Sequence, residues 1–209
     1  RLRAAVGSLP AELVMGPVVQ RIDRELAARR RPARGDLIAA LDDSRHVALL
    51  DTLASLIEDP PLTAFAHQPA EGELPRLTAR SVRRLRRSAS AASAADEAAA
   101  RDMLLHTVRK DAKRARYAAE VTVPVIGRKA DQAARRLKRL QMVLGEHQDS
   151  VVARSVLREL GVAAHLAGEN GFSFGLLQGL EEARGDDARS GYEKVLAKAL
   201  RTHPRRWSR

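Results

Sequence analysis

The chain has 209 residues, 37 Lys and Arg against 26 Asp and Glu, a formal charge of +11, no cysteine and 3% aromatic residues. Without cysteine there are no disulfides, thiolate metal sites or cysteine nucleophile, which fits a reducing, cytoplasmic setting. No stretch approaches the roughly 20 apolar residues of a membrane span, and the positive excess draws anions without naming one: DNA, RNA, anionic lipid and polyphosphate all satisfy it.

Ala, Leu and Arg dominate, which favours helices packed through small side chains. Arg1 to Val6 is basic, but no apolar run follows before Pro10, so no signal peptide is expected. Residues 13–28 carry an apolar stripe at Val18, Val19, Ile22 and Leu26, and Arg29-Arg30-Arg31-Pro32 is expected to end that helix. Asp36 is expected to cap a second helix through Ile38, Leu41, Val47, Leu49, Leu50, Leu53 and Leu56, stopped by Asp59-Pro60-Pro61. Pro60, Pro61, Pro69, Gly72 and Pro75 mark 60–75 as a linker. It divides a first helical half-domain, 1–75, from a second, 76–209.

In the second half a short basic helix is expected over about 77–92, with Ser88 to Ser93 as a frayed end or turn. Long helices follow over about 96–124 and 129–160. The Gly-rich stretch 168–175 precedes two last helices, 174–184 and 187–201. Residues 16–26 echo 171–181 in glycine placement and apolar order, which suggests two half-domains of similar design.

The most informative segment is 104–120. At about 100° per residue, His106, Lys110, Lys113 and Tyr117 share one stripe. Arg109 and Arg116 flank it on one side and Arg114 on the other. Leu104, Val108, Ala112, Ala115 and Ala119 form the opposite, apolar face. From His106 to Tyr117 the stripe runs about 16 Å, which suits an extended chain of negative charges. Arg offers a planar fork for phosphate oxygens, Lys a mobile point charge, and Tyr117 a donor at the end of the line. Like charges at i and i+4 destabilise an isolated helix, and within this one only Asp111 and Glu120 relieve them. A partner anion explains the pattern.

Arg80, Arg83, Arg84 and Arg87 make a second basic stripe, and no acidic residue occurs between Arg76 and Arg87. In 137–149, Lys138, Gln141, Gly145 and Asp149 share a face. Gly145 is expected to admit a neighbouring helix or ligand. Lys138 adds a cation, while Gln141 and Asp149 are expected to orient Lys or Arg of the basic helix.

At Leu105-His106, Arg109-Lys110, Lys113-Arg114, Arg116-Tyr117 and Glu120, followed by Leu137-Lys138, Leu140-Gln141, Leu144-Gly145-Glu146 and Asp149, the sequence resembles the CHAD family, the conserved-histidine α-helical domain. The resemblance implies an all-α fold of two antiparallel helical bundles related by pseudo-two-fold symmetry, with a basic channel or groove between them. It implies binding of inorganic polyphosphate by a non-enzymatic module, with association with polyphosphate granules. The family carries two His-containing basic helices and this chain has one, so the first half is expected to lack its opening helices.

Two other functions compete. Histidine phosphotransfer would make His106 a nucleophile, but the row of cations is longer than one phosphoryl group requires. Nucleic-acid backbone binding needs only phosphate contacts, yet single-strand binders stack bases on aromatics, which are scarce here. There is no Walker loop and no His pair at metal spacing, so no catalytic residue, cofactor or metal is expected. His46, His67, His147, His165 and His203 share no ligand spacing. In the tail, His203-Pro204-Arg205-Arg206-Trp207-Ser208-Arg209, Trp207 is expected to be a packing residue or part of a tail.

Overall fold

The computed structural model describes residues 1–207. Among them every regular element is helical: α1 (Leu2–Gly7), α2 (Val18–Asp42), α3 (Ser44–Glu58), α4 (Ala70–Ser93), α5 (Ala98–Ile126), α6 (Arg128–Leu166) and α7 (Phe172–Leu200). Short 3-10 turns lie at Ala11–Leu13, Ala64–His67 and Pro204–Arg206. The protein is all-α. No helix is long and apolar enough to cross a membrane among the described residues.

The chain divides into two compact units. One takes Arg1–His67 with Glu159–Gly175; the other takes Gln68–Arg158 and the residues from Leu176 onward. In the first unit, Val18 and Ile22 of α2 are buried, while α3 buries no side chain. Ser173 Oγ donates to the Leu13 carbonyl and accepts from the Met15 amide, at 2.7 and 2.8 Å. Arg21 binds Glu169 and Arg29 binds Glu159.

The second unit is built on four helices. Thr78 meets Thr122 and Arg84 meets Asp111, so α4 and α5 run antiparallel. His147 reaches back to Asp102, which sets α6 antiparallel to α5. Ser150 bonds the Glu181 carbonyl and His147 faces the Gly185 carbonyl, which sets α7 antiparallel to α6. The core between them joins Val82, Leu85 and Ala89 of α4 to Val108, Ala112, Ala115 and Ala119 of α5. Leu137, Leu140 and Leu144 complete it from α6, and Tyr192 and Ala199 from α7. Alanines on α5 let its neighbours come close, and each fully buried leucine contributes on the order of 1.5–3 kcal/mol. Trp207 packs against this core.

Several boundaries differ from those expected. The Arg29–Pro32 run does not end α2, which continues to Asp42 with Pro32 inside. Helix-forming Ala, Leu and Arg on both sides carry it past a residue that costs about 3 kcal/mol in a helix interior. The cap of the next helix is Asp43, not Asp36; its side chain accepts from the Arg45 amide at 2.7 Å. The proline-rich stretch gives way to α4 already at Ala70, where acidic Glu71 and Glu73 suit the positive end of the helix dipole. Ser88 to Ser93 is helical, with Ala89 and Ala92 buried.

The last two helices are one, α7. Gly185 does not interrupt it, because the missing side chain serves packing: a Cβ there would lie 2.7 Å from Ser150 Oγ.

Candidate anion-binding site

Helix α5 separates its faces much as its periodicity suggests. Val108, Ala112, Ala115 and Ala119 are completely buried, joined by Leu105, while Leu104 is half-buried. Lys110, Lys113, Arg114 and Tyr117 are exposed; His106, Arg109 and Arg116 are half-buried. Neither lysine has a carboxylate partner among the described residues. Arg116 lies 4.5 Å and Lys113 5.7 Å from the centroid of the Tyr117 ring. A ring face holding two cations is worth about 0.5–1 kcal/mol per contact at an exposed site. Arg116 is further drawn toward Glu120, at 3.6 Å.

Asp111 ties the two basic helices together. Its carboxylate is almost fully buried and accepts from Arg84 Nε at 2.8 Å and from Arg114 Nη1 at 3.3 Å. Both guanidinium side chains stay more than half exposed, at 57% and 58%, so each keeps donors free for a ligand while its stem is held. Asp111 sits three residues before Arg114, a spacing that puts the two side chains on neighbouring rows of the helix. That much was available in the sequence; its burial against α4 was not.

Gly145 of α6 lies beneath Arg109: a Cβ added there would be 3.5 Å from both Nε and Nη2 of that arginine. The close approach expected of this glycine is therefore to a side chain of α5. Arg109 Nε and His106 Nδ1 are buried and make no hydrogen bond within the described residues, and the same holds for Gln141 Oε1.

Asp149 is exposed and forms no ion pair among the described residues. It lies two residues beyond buried His147, about 200° around the helix, on the side away from the bundle. The carboxylate that holds arginines is Asp111. Lys138, Arg80, Arg83 and Arg87 are exposed and have no acidic partner among the described residues.

The sequence profile of the CHAD domain matches residues 1–158. The chain belongs to the CHAD family. Polyphosphate binding is the association of that family. Two uncharacterized proteins of Mycobacterium tuberculosis, from strains CDC 1551 / Oshkosh and ATCC 25618 / H37Rv, are each 36% identical over 204 residues. The alignment covers 95% of this chain and 37% of each relative, so the chain spans little more than a third of their length. No solved structure matches the chain.

Within this CHAD domain, two polar features lie outside the basic motif. His147 is buried, with Nε2 2.9 Å from Asp102 Oδ1 and Nδ1 3.4 Å from the Gly185 carbonyl. It links α5, α6 and α7 and belongs to the frame of the unit. His46 faces the Leu41 carbonyl at 2.7 Å. No group of three or more His, Asp or Glu among the described residues is arranged to hold a metal.

Proposed function

We propose that this CHAD domain binds inorganic polyphosphate along the basic faces of α4, α5 and α6 and acts as a non-enzymatic module that attaches its protein to polyphosphate, including polyphosphate granules. His106, Arg109, Lys110, Lys113, Arg114, Arg116, Tyr117 and Lys138 make the contacts, with Arg80, Arg83, Arg84 and Arg87 extending the surface.

One observation carries the reading. Two buried nitrogens of the α5 motif, His106 Nδ1 and Arg109 Nε, have no hydrogen-bond partner among the described residues and adjoin Lys110 and Lys113, which have no carboxylate partner among them. A buried polar atom left without a partner costs about 1–3 kcal/mol, and a phosphate chain along α5 brings the missing acceptors. Nucleic acid is the weaker reading: Tyr117, the aromatic residue within the basic motif, already holds Arg116 and Lys113 against its ring.

The test is a competition titration of labelled long-chain polyphosphate against duplex DNA, RNA and heparin at about 0.15 M salt, where surface charge is screened over about 8 Å. Polyphosphate is expected to win at matched charge. Equal or tighter binding of DNA or RNA reassigns the face to nucleic-acid backbones.

A further inference from the structure

A second basic site lies in the unit that carries α5, where the chain turns back after α7. Two adjoining hollows of about 280 and 250 Å³ share Thr202, His203 and Arg206. The first is lined by Arg83, Arg86, Arg205 and Arg206, the second by Lys129, Arg136, Arg201 and Arg206, with Trp207 at its side. Among the described residues no carboxylate lines either hollow. None of these six arginines has an acidic partner among the described residues. Between the hollows, Thr202 is 4% exposed, and its buried hydroxyl has no hydrogen-bond partner among the described residues.

Packing alone explains these features poorly. The polypeptide turns through Pro204–Arg206 and brings Arg205 and Arg206 back over Arg83 and Arg86 of α4. Arginines gathered without an acidic partner among the described residues repel one another, and a buried hydroxyl without a partner adds a desolvation cost. An anion offsets both: arginine forks grip phosphate oxygens with paired donors, and the threonine hydroxyl supplies another donor. Each hollow falls just below the 300–1,000 Å³ usual for drug-sized ligands, which favours a compact anion. Two adjoining hollows walled by cations accept more than one anionic group in a row.

We infer that Thr202, Arg205 and Arg206, with Arg83 and Arg86 of α4 and Arg136 and Arg201 beside them, form a second anion site that takes a condensed phosphate of a few units. This goes beyond the reading of α5 and stands whether or not α5 holds a long chain. The ligand is either a free short oligophosphate or the end of a longer polymer.

Trp207 is the only tryptophan of the chain and lines the second hollow, so its fluorescence reports on this site. The experiment titrates the protein with tripolyphosphate, and separately with long-chain polyphosphate, at about 0.15 M salt. Tripolyphosphate is expected to give a saturable change that persists in Lys110→Glu/Lys113→Glu. Arg205→Ala/Arg206→Ala should weaken it at least tenfold; both side chains are exposed, so the fold is kept. Thr202→Val should weaken it several-fold, whereas a purely structural threonine would give unchanged affinity.

If long-chain polyphosphate produces the signal only while the α5 lysines are intact, the site takes the end of a chain already bound there. If tripolyphosphate binds with equal affinity in both backgrounds, the site takes the free oligophosphate. A signal that survives Arg205→Ala/Arg206→Ala, or no signal at millimolar tripolyphosphate, overturns the inference. Failure of the α5 reading is seen separately in the Arg205→Ala/Arg206→Ala background, as long-chain binding that ignores Lys110→Glu/Lys113→Glu.

Discussion

Arg84 Nε and Asp111 Oδ1 meet at 2.8 Å across the seam between α4 and α5, the carboxylate buried and the guanidinium largely in solvent. The pair joins the two basic stripes, which are separate in sequence, into one surface. A buried carboxylate without its charge partners would be costly, so Asp111 also holds Arg84 and Arg114 in place. Asp111→Asn keeps the shape and removes the charge. It is expected to lower stability by about 1.5–3 kcal/mol, the range for a charge-assisted hydrogen bond, measured by urea unfolding. An unchanged midpoint would show that the two arginines are held by other contacts.

The division of α5 into apolar and basic faces is legible in the sequence because Val108, Ala112, Ala115 and Ala119 recur at helical spacing in a long, strongly helix-forming segment. The same reasoning fails where a residue's meaning depends on its neighbour in space. Gly185 reads as a break until Ser150 is seen against it. Pro32 reads as a stop because the rule is local, while the helix around it is favoured over many residues. Asp149 and Asp111 are both single acids near basic motifs, and only packing decides which of them is buried among arginines. The C-terminal hollows draw on residues over 100 positions apart, Arg83 and Arg206, which no periodicity connects.

Lys110 and Lys113 are exposed and have no carboxylate partners among the described residues, so reversing their charge disturbs the anion surface without touching the core. With the C-terminal arginines removed by Arg205→Ala/Arg206→Ala, Lys110→Glu/Lys113→Glu is expected to abolish binding of long-chain polyphosphate and to leave the helical circular dichroism signal unchanged. Binding that survives would move the site off α5.

The two buried glycines of α6 and α7 predict opposite outcomes. At Gly185 a new Cβ would stand 2.7 Å from Ser150 Oγ and 3.4 Å from its Cβ. Gly185→Ala is therefore expected to destabilise by about 1–3 kcal/mol, as overpacking does, and Ser150→Ala in the same chain should restore part of the loss. At Gly145 the nearest atoms to a new Cβ belong to the Arg109 guanidinium, at ordinary contact distance. Gly145→Ala is expected to raise stability by up to about 1 kcal/mol through helix propensity and to leave polyphosphate affinity within about twofold. Gly145→Leu, too large for that space, should displace Arg109 and weaken binding. Thermal unfolding and titration of the four variants separate these effects, and a stable Gly185→Ala would mean that α6 and α7 have room to part.

Acid should weaken the unit formed by Arg1–His67 and Glu159–Gly175. There the hydrogen bond from Arg3 holds the Asp23 carboxyl below the usual carboxylate range, and the hydrogen bond from Arg21 does the same for Glu169. A carboxyl whose folded value lies below its unfolded value adds stability above the unfolded value. That contribution is lost as the pH falls through the folded value. Stability of this unit is therefore expected to be flat near neutrality and to decline below about pH 5, where unfolded carboxylates begin to take up protons. Asp23→Asn/Glu169→Gln removes both titrating groups. The variant should start less stable at pH 7 and lose less on acidification to about pH 3. Thermal melts of the two proteins across that range test this, and parallel pH profiles would show that neither pair contributes to acid sensitivity.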